Sequence, residues 1–183
     1  YYLNMYRKFL PDEIKIYLPD TQGPFDIAHL IRGNEIFIDI YDDESFFTHL
    51  MEISTFLYIE VSKFFKNKIL EPLYCGYHSG YLYIGKGGVR VCEDTTTLIS
   101  PKHLDIILKY TQKALKEFNG GFVHFCGKAN QLFEMITEIP EVRGINFGNP
   151  EVYDFNDVFK KLNKKGIVYI GNIPSKEDEN WTD

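Results

Sequence analysis

The chain has 183 residues, 44% hydrophobic and 25% charged, a balance that suits a soluble globular protein with enough apolar side chain for one sizeable core. Its 26 acidic and 20 basic residues give a net charge of -6 and are interspersed, so no basic stripe tracks phosphates and nucleic acid is a poor partner. The richest apolar stretch, Phe46 to Phe65, is broken by Glu52, Glu60 and Lys63, which excludes a membrane span there.

The sequence opens on Tyr1-Tyr2-Leu3-Asn4, with neither an initiator Met nor a signal pattern, and reads as starting partway through a longer protein. Cys75, Cys92 and Cys126 are too few and too scattered for a disulfide framework, which points to a reducing, cytoplasmic setting. Short apolar runs then alternate with amphipathic segments, the βαβα pattern of a parallel sheet. Ile14 to Leu18 reads as the first strand and Asp20-Thr21-Gln22-Gly23 as a loop. Pro24 opens a short helix that runs through Arg32 and ends at Gly33. A second helix starts near Asp43-Glu44 and carries a core stripe of Phe47, Leu50, Met51, Ser54, Leu57, Tyr58, Val61 and Phe65.

Ile69 to Cys92 is less regular, because Cys75 to Gly80 and Gly85-Lys86-Gly87-Gly88 interrupt two strand-like runs, as in a strand with a loop excursion. The glycine-rich stretch lacks the Lys-Ser/Thr ending of a phosphate loop and reads as a flexible turn. Ser100-Pro101 supplies an N-cap and first-turn Pro for a helix with Leu104, Ile107, Leu108, Thr111, Leu115 and Phe118 on one face. A strand at 121–125, a helix around 131–137, a strand at 143–147, a helix at 154–164 and a strand at 167–170 follow. The fold expected is a single α/β domain, about five β/α units of a (β/α)8 TIM barrel that typically takes about 250 residues.

In such a barrel the polar residues just after each strand form the site. They are Asp20-Thr21-Gln22, Glu93-Asp94, His124 with Cys126, Asn146 with Asn149, and Asn172. His124 and Cys126, two apart on a strand, share a face while Phe125 points the other way. Imidazole plus thiolate is half of a tetrahedral zinc site; the alternative is a buried thiol beside a hydrogen-bonded His. Cys92 is a third ligand only if its strand neighbours this one. Glu93-Asp94 stands where an acid, a base or a substrate-fixing carboxylate would be mounted, or where Asp94 caps local amides. His29, His49, His78 and His103 have no metal-type partner at short spacing and read as structural or surface residues.

The ordered set Gln22-Gly23-Pro24-Phe25, Leu30-Ile31-Arg32-Gly33, Glu93-Asp94, Ser100-Pro101, His124-Phe125-Cys126-Gly127, Gly144 to Gly148 and Gly171-Asn172-Ile173 resembles the uroporphyrinogen decarboxylase superfamily. The decarboxylase itself resembles the chain less well, since it carries an Asp-Ser-Trp type sequence where Cys92-Glu93-Asp94-Thr95-Thr96 stands. The cobamide-dependent methyltransferase branch is more similar, because it has His-x-Cys as zinc ligands and a further Cys near its last strand. The resemblance implies barrel strands three to seven here, with the catalytic site incomplete. It implies zinc on His124 and Cys126, a corrinoid on a partner protein as methyl donor, and a small-molecule thiol as acceptor. Asp94 would fix or polarise the substrate as the catalytic carboxylate, with Gln22, Glu93, Asn146 and Asn172 binding it. Two further readings stay open: decarboxylation of a tetrapyrrole side chain, with Asp94 orienting pyrrole N–H groups, and a remnant that binds a corrinoid or tetrapyrrole without turnover. A chain lacking three barrel strands is expected to be unstable or to form homo-oligomers, and two ligands alone are expected to hold zinc weakly.

Overall fold

The computed structural model describes residues 1–78 and 82–174. Its elements are α1 (Tyr2–Phe9), β1 (Thr21–Gln22), α2 (Pro24–Arg32), α3 (Ile36–Asp42), α4 (Glu44–Ile69), β2 (Gly76–His78), β3 (Leu82–Ile84), β4 (Val89–Cys92), α5 (Leu104–Lys116), β5 (Gly121–Phe125), α6 (Asn130–Ile136), β6 (Val142–Phe147), α7 (Phe155–Lys165) and β7 (Val168–Tyr169). Five parallel strands lie in the order β1-β4-β5-β6-β7, so each new strand joins the edge left by the last; β2 and β3 form a separate antiparallel hairpin. This is the parallel α/β sheet that the alternating pattern predicts. The excursion before β4 is the hairpin, and Ser79, Gly80 and Tyr81 lie outside the described residues.

Strand alternation divides the sheet into two faces. Val89, Val91, Val123, Phe125, Ile145 and Phe147 join one core with Tyr58 and Ile59 of α4, Leu108 and Leu115 of α5, Leu132 and Phe133 of α6, and Val158 and Leu162 of α7. The in-between positions, Arg90, Cys92, Phe122, His124, Gly144 and Asn146, lie in register across β4, β5 and β6 on the opposite face. Phe122 lies where a Gly144 side chain would be: an added Cβ would sit 1.9 Å from its ring. His78 of the hairpin tilts over Phe122 from the other side, with ring centroids 4.4 Å apart. A second core joins Phe25, Ala28, Ile36, Ile40, Phe47, Leu50 and Met51 to Ile107 and Tyr110 of α5.

Several elements are placed differently from the sequence reading. Ile14 to Leu18 is not a strand: Leu18 N–H donates to the Glu71 carboxylate and Ile14 N–H to Pro11 O, so the run is irregular backbone. The first strand is instead Thr21–Gln22, within the expected loop, paired to Val91 and Cys92. Helices α1 and α3 are additions. Asp43 caps α4 by accepting from Phe46 N–H, as its charge suggests, but Leu57, Val61 and Phe65 are exposed, and Thr55, Ile59, Ser62 and Lys66 are buried in their place. Ser100 makes no side-chain cap; a short 3-10 turn over Pro101–His103 leads into α5, whose six expected core residues are all buried.

Lys66 is buried because its ammonium is fully engaged: it donates to Glu71 Oε2 (2.9 Å), Cys75 O (3.1 Å) and Gly88 O (2.8 Å). Glu71 in turn accepts from Leu18 and Tyr77 N–H, so one ion pair fastens the end of α4 to both segments that lead into the sheet. None of the three cysteines is in a disulfide. Among the described residues, no helix is long and apolar enough to cross a membrane.

Candidate metal and substrate site

The carboxyl ends of β4, β5 and β6 carry a connected group of polar side chains on the face that the helices leave uncovered. Asn146 fixes its chemistry. Its Oδ1 accepts from Arg90 Nη2 at 2.8 Å, and its Nδ2 donates to Ile170 O. A guanidinium only donates and a carbonyl only accepts, so the amide has one orientation. Asn146 Oδ1 also lies 2.5 Å from His124 Nδ1, which must therefore carry the proton and donate. In the neutral imidazole this leaves Nε2 as a lone pair, available to a metal or to an acidic proton.

His124 Nε2 stands 3.5 Å from Cys126 Sγ and 3.9 Å from Asp94 Oδ1. Two ligands of one tetrahedral zinc, nitrogen and sulfur, would be about 3.6 Å apart from ordinary Zn–N and Zn–S lengths, so the His124–Cys126 pair fits one ion. Cys126 is held from three directions. Its N–H donates to Asp94 Oδ1 at 2.6 Å, and its thiol lies over Gly148, where a Cβ would be 2.3 Å from Sγ. The following loop is fastened by Tyr153, whose hydroxyl donates to Gly127 O and accepts from Ala129 N–H, and by Asn149 Oδ1, which accepts from Gly127 N–H. Burial pushes the Cys126 thiol up, and the Asp94 carboxylate adds to the effect, so without a cation this sulfur keeps its proton.

Asp94 follows β4 and is aimed by Asp26 of α2, whose buried carboxylate accepts from Asp94 and Thr95 N–H and so caps the turn beginning there. Burial raises the Asp26 pKa despite these bonds. The Asp94 side chain keeps 42% of its surface exposed, against 15% for His124, so a ligand arriving from solvent meets the carboxylate first.

The structure brings Asp94, His124, Cys126 and Asn146 together. Asn146 is spent on Arg90, His124 and Ile170, which makes it a positioning residue for the imidazole. Glu93 is turned away from the group: it is fully buried toward α5 and accepts from Thr96 and Thr111 hydroxyls. Gln22 is exposed at the end of β1, opposite Cys92, and Asn172 is exposed beyond β7. One member, Arg90, was not singled out from sequence; it bridges Asp20 (2.5 Å) and Asn146 across the sheet. Cys92, a third ligand on condition that its strand neighbours that of His124, meets the condition: it sits in register with His124, and one ligand atom each of Cys92, Asp94 and His124 lie within 4.8 Å of one another. The signal for Cys92 was the Cys-x-Asp spacing on one strand beside His-x-Cys on another; what was missing was the register between them.

Comparison of the chain with protein-family models, with curated proteins and with solved structures finds no match.

Proposed function

We propose that this chain belongs to a uroporphyrinogen decarboxylase-like (β/α) barrel enzyme of the methyltransferase type, with a zinc site on His124 and Cys126. The observation that carries the reading is the fixed imidazole: Asn146 holds the proton on Nδ1, and the Nε2 lone pair lies 3.5 Å from the Cys126 thiol at the carboxyl edge of a parallel sheet. A consecutive β1-β4-β5-β6-β7 order with helices packed on one face also fits the wall of a barrel. Zinc bound there would act as a Lewis acid that lets an acceptor thiol ionise near neutral pH.

The chain's own residues supply the rest. His124 and Cys126 bind through a neutral ring nitrogen and a sulfur that gives up its proton on metal binding. Asp94, exposed beside both, takes up or orients the proton of the incoming thiol. The thiolate would attack a methyl group carried by a corrinoid on a partner protein, forming a thioether while the cobalt–carbon bond breaks and its electron pair stays on cobalt, which passes from cobalt(III) to cobalt(I). Protein purified without chelator should contain near-stoichiometric zinc by elemental analysis, and Cys126→Ala should remove most of it. Undiminished activity in metal-free protein would overturn the zinc mechanism and favour decarboxylation, in which the exposed Asp94 carboxylate would accept from pyrrole N–H groups.

A further inference from the structure

Cys92 and Asp94 are two residues apart at the end of β4, and His124 and Cys126 are two residues apart at the end of β5. The register pairs Cys92 with His124, and the ladder continues past the strand through Glu93 N–H donating to His124 O at 2.7 Å. Neighbouring strands run about 4.8 Å apart, so Cys92 and His124, paired on one face of the sheet, can reach a common point. Asp94 Oδ1 accepts from Cys126 N–H, which turns the carboxylate toward the end of β5. Cys92, Asp94 and His124 offer ligand atoms that are mutually within 4.8 Å, and Cys126 Sγ, outside that group, lies 3.5 Å from His124 Nε2.

From this geometry we infer that Cys92 is the third protein ligand of the metal beside His124 and Cys126, with the fourth position left open next to the Asp94 carboxylate. The inference rests on the metal reading above and changes its composition. Two sulfurs and a nitrogen are a ligand set ordinary for catalytic zinc, which keeps its fourth position for an exchangeable ligand. The imidazole is already oriented by Asn146, the outer partner a zinc-bound His requires. The acids nearby suit a cation: the Asp26 carboxylate lies directly behind the Asp94 amide.

The test uses the 183-residue chain and zinc alone. The chain should bind one zinc tightly in a competitive chelator titration. Cys92→Ala should weaken binding by more than about 100-fold, beyond the 10–100-fold cost of losing an outer partner. Cobalt(II) provides a second readout that does not depend on that variant folding. Cys126→Ala saturated with cobalt should retain a thiolate-to-metal charge-transfer band, because Cys92 sulfur remains bound. Loss of the band in Cys126→Ala, or zinc affinity unchanged in Cys92→Ala, would overturn the assignment of Cys92 and leave the His124–Cys126 site standing. A chain that binds no zinc would overturn the inference as a whole, whereas zinc in the protein as purified, lost in Cys126→Ala, would still support the broader metal reading.

Discussion

Asp94 does two things with one carboxylate. Its Oδ1 accepts the Cys126 N–H at 2.6 Å, and its remaining surface is open to solvent beside the His124 lone pair. An amide in its place keeps the accepting oxygen but loses the charge. Asp94→Asn should therefore abolish most turnover while changing the unfolding free energy by less than about 1 kcal/mol, the scale of a surface-accessible substitution. Kinetics and urea titration on the same preparation check this; retained activity with a sharply lowered midpoint would make Asp94 a structural cap only. His124 and Cys126 were legible because residues two apart on a strand share a face, and Asp94 because it ends an apolar run, neither of which needs tertiary information. Arg90 was not, and Cys92 only conditionally, because their roles depend on which strand lies beside theirs and at what offset. Glu93 was grouped with Asp94 by adjacency, yet adjacent residues leave a strand in opposite directions, and its carboxyl ends among the α5 threonines.

At the level of elements, α2, α6 and α7 were legible to within a residue or two, whereas the Ser100 cap is not made and α1 and α3 were missed. The 26-residue α4 was legible at its start and not along its length. The expected stripe repeats every seven residues, through Phe47, Ser54 and Val61 and through Met51, Tyr58 and Phe65, but the helix packs on two cores: Phe47, Leu50 and Met51 join the one around Phe25, and Tyr58 and Ile59 join the one on the sheet. From Thr55 onward the buried side takes in Thr55, Ile59, Ser62 and Lys66. The buried lysine could not be anticipated, since its three oxygen partners come from segments beyond the helix. Ile59→Ala should cost about 2–5 kcal/mol as a cavity substitution. Val61→Gln, two residues away and 45% exposed, should stay within about 0.5 kcal/mol. Chemical denaturation of the two variants checks the assignment of faces, and the reverse order of costs would restore the heptad stripe. The misplaced first strand has a similar cause: Ile14 to Leu18 has strand composition, but its backbone partners are Pro11 O and a glutamate side chain rather than a neighbouring strand.

For the whole molecule, buried ionisable groups on different elements make stability depend on pH in two opposed ways. Glu93 is enclosed by Thr96, Thr111 and the Asp26 and Asp94 carboxylates, and burial first, then Asp26, pushes its pKa from 4.5 up to about 8. Between those values the folded chain holds a proton that the unfolded chain has released. The stability from protonated Glu93 is thus full below pH 4.5 and is lost as pH rises to about 8, with the raised Asp26 acting in the same sense. His78, under the β2–β3 hairpin against Gly87 O and Phe122, is held below its ordinary 6.5 by burial. Below that pH the unfolded chain takes up a proton that the folded chain resists, so its contribution is full above 6.5 and falls as pH drops. The two effects oppose each other between pH 4.5 and 6.5, and above 6.5 only the carboxyl limb remains. Glu93→Gln, which keeps the shape and cannot ionise, should flatten the decline in urea midpoint between pH 6.5 and 8 and leave the His78 limb in place. A wild-type midpoint that does not fall between pH 6.5 and 8 would mean that Glu93 ionises without penalty, and that the pocket between β4 and α5 opens to water.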